Sequence, residues 1–225
     1  MERIEIVCLA NSRKMRGRCV AGLRVDTGTW LRPVSDDQDG TLYGRHYEFR
    51  DGTEAAVLDV VDLQVAGPQP APHQPENWRV VAVRWRRTGR LEGDRAVRYL
   101  RRHTLREGVL LGNRTDRVEF AALIDRPTVA SLALIEPERF RCQIRTWEGQ
   151  RKNRVLFTLH GVDYDLSLTD PVWEARLRDL PVGTHTRYAL KIAWTAKVFL
   201  TVSLSEPFEK TGFCYKLVAA VIVLP

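Results

Sequence analysis

CLANSRKMRGRCVAGLRVDTGTWLRPVS, residues 8–35, is the stretch whose reading decides the fold. It predicts three short strands, at 4–10, 18–25 and 29–34. The first connection, 11–17, carries Arg13, Lys14 and Arg16. The second, Asp26-Thr27-Gly28, is a tight turn with glycine where a positive φ is needed. Trp30 and Arg32 stand two apart, so both project from one face of the third strand. A basic loop beside a sheet face with a ring and an arginine suits single-stranded nucleic acid. The cations neutralise phosphate, and the ring gives a sequence-tolerant stacking surface. The same residues admit a plainer reading, with Trp30 in the core and the cations as solvated loop charges.

Working outward, 225 residues make either one large β domain or two of about a hundred residues each. Lys and Arg number 35 against 28 Asp and Glu, a net charge of +7. That excess favours a polyanionic partner, and its distribution says more. Residues 79–106 hold ten arginines (79, 84, 86, 87, 90, 95, 98, 101, 102 and 106) against Glu92 and Asp94. Residues 35–62 hold eight acids against Arg45 and Arg50. The four cysteines, 8, 19, 142 and 214, form no CxxC pair and read as buried or half-buried thiols in a reducing compartment. MERIEIVCLA has no signal-peptide pattern, and the apolar LVAAVIVLP is far too short to span a membrane. The expected location is the cytoplasm.

Residues 36–52 predict a long acidic excursion, and 55–65 a strand. Four prolines within 67–75 predict an extended segment across the surface, anchored at Trp78. A strand is expected at 79–86 and a helix at 94–106. On that helix Arg95, Arg98, Arg102 and Arg106 recur three or four residues apart, a basic stripe opposite Val97 and Leu100. Arg114 and Arg117 follow the turn signal Gly112-Asn113. Residues 118–128 are the expected junction, dividing the chain into 1–117, with the insertion and basic helix, and 118–225. In the second half strands are expected at 131–136, 140–147, 154–160, 162–168, 196–204 and 214–223. VDYDLSL alternates cleanly, and Asp170-Pro171 opens a short helix to about 179. Strands, a short helix and more strands is the pattern of an OB-fold, and the first half fits it too. The expected fold is therefore mainly β, with two OB-fold-like barrels packed together, each with short helical insertions.

The stretches CLANSRK with GRCVAG, WLRPVS, QPENW, NRTDRV, VDYDLSLTDP, SLSEPF and YKLVAA are spread over nearly the whole length. Together they resemble the prokaryotic dual OB-containing domain family. The resemblance implies two OB-folds in one unit and a nucleic-acid-binding role, and it carries over no catalytic residue. Within these motifs Trp78, Asn113, Tyr164, Asp170, Glu206 and Lys216 are candidates for a site or for the interface between the barrels.

Enzyme chemistry is the weaker expectation. Asp163 and Asp165 share a strand face near Asp170, which is how carboxylates hold Mg²⁺, but Asp170 has a capping role and the other two lie on a polar strand face. The five histidines (46, 73, 103, 160 and 185) show no ligand spacing. Cys19 has field from Arg16 and Arg18 but no assignable histidine. No phosphate-binding or nucleophile-elbow motif occurs. No metal and no cofactor is expected. The favoured function is binding of single-stranded DNA or RNA through Arg13, Lys14, Arg16, Trp30, Arg32, Arg95, Arg98, Arg102, Arg114 and Arg117. The alternatives are an enzyme acting on nucleic acid or a nucleotide, and an adaptor that holds another protein in a bacterial defence or repair system.

Overall fold

A computed structural model of the chain describes residues 1–37 and 39–225; of the excursion expected over 36–52, Gln38 lies outside the described residues. The first barrel is built from β1 (Glu2–Lys14), β2 (Gly17–Arg24), β3 (Trp30–Val34), β4 (Asp59–Pro68) and β5 (Asn77–Val80), with α1 (Gly44–Tyr47) between β3 and β4. The order β1-β2-β3-β5-β4 closes because β4 also pairs with β1, and β3 runs parallel to β5. This is the Greek-key closure of an OB-fold. One strand serves two neighbours. Glu2 to Val7 of β1 face Val65 to Val60 of β4, while Ile6 to Lys14 face Arg24 to Gly17 of β2. A bulge between Cys8 and Ala10 supplies the bend. Gly22 sits opposite that bend, where a Cβ would lie 2.3 Å from the Val7 carbonyl oxygen, so only glycine fits. A short β6 (Arg86–Arg90) continues along β4 beyond β5.

Residues 91–131 connect the barrels through α2 (Gly93–His103), a 3-10 turn (Leu110–Gly112), β7 (Arg117–Glu119) and α3 (Phe120–Asp125). The second barrel holds β8 (Leu132–Ile135), β9 (Arg139–Trp147), β10 (Gln150–Leu159), β11 (Val162–Leu168), α4 (Pro171–Leu177), β12 (Gly183–His185), β13 (Lys197–Phe208) and β14 (Phe213–Leu224). It repeats the first topology. β11 runs parallel to β14, and α4 sits between β11 and β13 as α1 does between β3 and β4. Its first strand is split at Glu136-Pro137-Glu138. β8 pairs with β13 and β9 with β10, so the two pieces do the work of bent β1. Pro137 cannot donate to a ladder, which places the break. Phe140, Cys142, Ile144, Val155, Phe157, Leu166 and Trp173 fill this barrel; Ile4, Ile6, Cys8, Val20, Leu31, Val61 and Leu63 fill the first.

The outer face of β1-β2-β3 is also apolar and also buried. Val7, Leu9 and Leu23 pack with Leu134, Phe199, Ile222 and Leu224 of the second barrel, and with Ala96 and Leu100 of α2. Ala10 and Ala21 pack with Leu132, Ala219 and Ala220, where small side chains let the two sheets approach. The Thr201 hydroxyl donates to the Leu9 carbonyl at 2.6 Å.

Most expected elements are present, with α2 ending at His103 rather than 106. Two differ. The strand expected at 79–86 is interrupted, since 81–85 leave the sheet between β5 and β6. The proline-rich segment is exposed at Pro68, Gln69 and Pro70 but does not stay on the surface: His73 and Gln74 are buried, and Gln74 donates to the Leu204 carbonyl at 3.1 Å. Among the described residues no helix is long and apolar enough to cross a membrane.

An apolar contact of this kind predicts that the barrels unfold together. Phe199→Ala should cost about 3–5 kcal/mol and keep one denaturant transition by both circular dichroism and tryptophan fluorescence. Two separated transitions would show barrels that are stable independently.

Candidate nucleic-acid interface

An OB-fold binds oligonucleotides on the face of its second and third strands, between the loop joining strands 1 and 2 and the loop joining strands 4 and 5. In the first barrel all three surfaces are engaged by the second. From the end of β1, next to the first loop, Arg13 pairs with Glu174 of α4 at 2.9 Å, and its backbone N–H donates to the Thr169 carbonyl. Lys14 is mostly buried, pairs with Glu206 at 3.1 Å and donates to the Asp39 carbonyl. Arg16 projects into solvent and has no carboxylate within 4 Å among the described residues. From the strand face, Arg32 is 1% exposed and donates to Asn77 Oδ1 at 3.3 Å and Ser203 Oγ at 3.0 Å. Trp30 is half-buried and packed into both inter-barrel clusters. From the last loop, His73 Nε2 shares a 2.6 Å hydrogen bond with Glu206. The expectation that Trp30 stacks a base while Arg32, Arg13 and Lys14 hold phosphate is therefore corrected. Trp30 and Arg32 do share a face, but a barrel covers it.

The helical stripe is open. Arg95, Arg98 and Arg102 are exposed, and none has a carboxylate within 4 Å among the described residues; Arg106 lies beyond the helix end. Ala96 and Leu100 face inward, with Val97 and Tyr99 half-buried beside them. Arg114 is exposed, and Arg117 lies over the Phe213 ring at 5.1 Å. The loop that carries both is propped from below. Lys216, 1% exposed, donates to the Leu110 carbonyl at 2.7 Å and to both oxygens of Asn113, and stands 5.7 Å over the Tyr164 ring. Burial pulls its ammonium down to about 8. Asp170 accepts from Val172, Trp173 and Val221 N–H groups, so it caps α4 and ties it to β14. Trp78 is half-buried under the Arg24 guanidinium. Of the motif residues singled out, Asn113, Tyr164, Asp170 and Lys216 brace the second barrel, and Glu206 joins it to the first.

The carboxylates considered for a metal are occupied. Asp165 accepts from Arg145 and Arg154, each at 2.7 Å, and Asp163 from the Thr158 hydroxyl at 2.6 Å. Among the described residues no group of three or more His, Cys, Asp or Glu is arranged to hold a metal ion. Burial pushes the Cys8 and Cys142 thiols up to about 12 and Cys214 to about 11, far from a reactive thiolate.

The second barrel leaves the corresponding face uncovered. Its apolar contact with the first runs through β8, β13 and β14, with Thr169 and Glu174, beyond the end of β11, meeting Arg13, so the outer side of β9 and β10 and the adjoining part of β11 face away from the seam. In RFRCQIRTW, Phe140, Cys142 and Ile144 point into the barrel while Arg139, Arg141, Gln143, Arg145 and Trp147 point out. Lys152 of β10 lies directly across from Arg145, and Arg154 across from Gln143. The hairpin turn, Glu148-Gly149, has positive φ at both residues and holds Trp147 at its tip, 68% exposed. Beside β9 lies a cleft of about 810 Å³ lined by Arg139, Arg141, Arg187, Lys197, Tyr188 and Trp194. The last two aromatics are 92% and 89% exposed. Glu136, at the same cleft, pairs with Arg101 of α2 at 2.8 Å, linking the cleft to the basic helix. Sequence reasoning missed this face, although the alternation of arginine with apolar residues across 139–147 was there to find it.

The Glu206 junction predicts a pH effect. Burial pushes its carboxyl up, but the hydrogen bond from His73 and the charge of Lys14 outweigh this and hold it at about 2 against an ordinary 4.5. A carboxyl depressed in the folded state adds stability above its unfolded value, and that stability is lost as pH falls through the folded one. Glu206→Gln should lower the melting temperature at pH 7, with the gap to the parent closing between pH 4.5 and 2. A gap that does not change with pH would mean the carboxylate charge does nothing at the junction.

The model of the dual OB-containing domain matches residues 4–221. No curated protein matches the chain. Among solved structures, a murine DNA-binding protein bound to double-stranded DNA is similar at a TM-score of 0.31 and 6% identity, over 100% of this chain and 99% of that one. With a match across essentially its whole length, and with two barrels of one topology packed face to side, this chain belongs to the dual OB-containing domain family.

Proposed function

We propose that the protein binds single-stranded nucleic acid across the outer face of β9-β10-β11, with the hairpin tip at Trp147 and the cleft at Trp194 as its two ends. The observation that carries this reading is the opposite fate of the two equivalent OB faces. One is apolar and spent on assembly. The other is open, cationic and flanked by exposed rings. Arg145 and Lys152 are like charges directly across a ladder, an arrangement that costs stability unless an anion lies between them. Asp165 offsets part of that cost through Arg145 and Arg154, while Arg139, Arg141 and Lys152 have no carboxylate within 4 Å among the described residues. Phosphates supply the missing charge, and rings as exposed as Trp147 and Trp194 offer stacking to bases that are not already paired. The α2 stripe extends the same field through Arg101 and Glu136.

Arg141→Glu with Lys152→Glu should weaken binding of a labelled single-stranded oligonucleotide similarly for all sequences. It should also flatten the plot of log affinity against log salt by about 1.4, at roughly 0.7 per lost phosphate contact. Trp147→Ala should cost about 1–3 kcal/mol of binding with the melting temperature unchanged. Arg13→Glu, at the barrel junction, should leave the salt slope as it is. Unchanged affinity and slope in the Arg141/Lys152 variant would overturn the reading, and the same experiment with Arg98→Glu and Arg102→Glu measures the share of α2.

A further inference from the structure

A second concave site lies on the first barrel, away from the face described above. After β5 the backbone leaves the edge of β4. Val81 N–H still donates to the Gln64 carbonyl at 2.9 Å, Val83 N–H turns back to the Val81 carbonyl at 2.7 Å, and pairing resumes at Arg86. An irregularity of this kind re-aims side chains. Here it turns Trp85 into the barrel, 2% exposed, and leaves Arg84, Arg86 and Arg87 outside. The turn after α1 brings Phe49, Arg50 and Asp51, and β1 brings Arg3. Together these residues line a cleft of about 750 Å³, within the range of small-molecule sites.

Its electrostatics are one-sided. Five arginines (3, 50, 84, 86 and 87) line the cleft with a single carboxylate, Asp51. Asp51 is turned to its own loop, where it accepts from the N–H and hydroxyl of Thr53 at 2.9 and 2.6 Å. Arg3 and Arg86 share one oxygen of Asp62, at 2.6 and 2.9 Å. Arg87 lies over the Phe49 ring and is 3.7 Å from Asp59, which already takes a 2.7 Å hydrogen bond from Arg90. Arg84 donates to the Phe49 carbonyl at 2.7 Å, with Glu48 3.9 Å away. Arg50 has no carboxylate within 4 Å among the described residues. The buried indole N–H of Trp85 has no acceptor among the described residues either. Converging guanidiniums with spare donors fit an anion carrying more than one charge. Guanidiniums bind phosphate oxygens in bidentate fashion, and a terminal phosphate offers three oxygens and nearly two charges where an internal diester offers one.

We propose that this cleft binds a terminal phosphate group, carried either by a free nucleotide or by the end of a nucleic-acid strand. The proposal does not rest on the β9-β10-β11 reading. Calorimetric titration of the full chain tests it with adenosine triphosphate, adenosine, and one short oligonucleotide bearing a 5′-phosphate or a 5′-hydroxyl. At least one phosphorylated probe should bind about tenfold or more tightly than its unphosphorylated counterpart. Arg50→Ala with Arg84→Ala, both exposed, should remove that advantage. Trp85→Phe, which keeps the ring and removes the donor, should reduce it, with a melting curve showing the variant folded. Arg141→Glu with Lys152→Glu should leave it intact, which separates this site from the other. A gain confined to adenosine triphosphate identifies a nucleotide site, and a gain confined to the 5′-phosphate identifies a strand-end site. Equal binding of phosphorylated and unphosphorylated probes, or an advantage that survives in the Arg50/Arg84 variant, overturns the proposal.

Discussion

The burial of one barrel's outer sheet face under another is the constraint on which the rest depends. An isolated OB barrel has a filled interior and a solvated exterior. Here Val7, Leu9, Ala21 and Leu23 put apolar side chains outside the first barrel, and Leu132, Leu134, Phe199, Ala220 and Ile222 do the same on the second. Neither surface is tolerable in water alone. Once they meet, positions along the seam become expensive to change. Ala10 and Ala21 on one side and Ala219 and Ala220 on the other must stay small for the sheets to approach. The polar groups caught at the seam need partners: the Thr201 hydroxyl finds one in the Leu9 carbonyl, and two of the three Arg32 nitrogens find theirs in Asn77 and Ser203.

Arg32 shows what that constraint costs. It is a buried guanidinium bonded to an amide oxygen and a hydroxyl, with its Nε unpartnered among the described residues. A charge in that setting is a poor stabiliser. What it does supply is specificity. Its donors reach Asn77 of its own barrel and Ser203 of the other, so a slip of the seam by one residue would strand them. Buried polar groups that fix register are a well-attested use of such residues. Lys14 at the end of β1 and His73 in the β4–β5 loop meet Glu206 of β13 and fix the same seam at another point, at the end of the barrel that in a free OB-fold would be left for a ligand.

Much of the fold is legible in the residues because it is local. The alternation of 162–168, the Asp170-Pro171 start of α4 and the glycine turns each carry their own physical signal. The shared face of Trp30 and Arg32 is legible too, by period two. What covers that face is not, because the partner lies about 170 residues away in sequence. A hint exists: residues 6–10, IVCLA, form an unbroken apolar run rather than an alternation, which marks a strand buried on both sides. The open face of the second barrel is the converse case. RFRCQIRTW alternates arginine with apolar residues, the signature of a strand with one side in the core and a cationic side in water. Charge counted by segment, as over 79–106, hides this, since what matters is which side of a strand each cation takes.

The two OB-folds thus use equivalent faces differently. β1-β2-β3 of the first barrel hold the molecule together; in the second, the β8 piece of strand 1 joins the seam while the outer side of β9 and β10 faces away from it. The division also decides where the chain's positive charge acts. The fifteen arginines of 79–106 and 139–154 are matched only in part: Asp62 meets Arg86, Asp59 meets Arg87 and Arg90, and Asp165 meets Arg145 and Arg154, while Glu174 and Glu206 are taken by Arg13 and Lys14. The cations left without a carboxylate within 4 Å among the described residues include Arg95, Arg98 and Arg102 on α2, Arg139, Arg141 and Lys152 on β9-β10, and Arg50 in the cleft beside β6. Salt screens exposed charges beyond about 10 Å, so these clusters act as separate sites unless something bridges them. Arg101 and Glu136 bridge the first two, tying α2 to the cleft beside β9. Between β6 and α2 there is a 4.0 Å contact from Arg90 to Glu92 at the helix N-cap, and the arginine cleft of the first barrel is lined by none of the residues of α2 or of β9-β10.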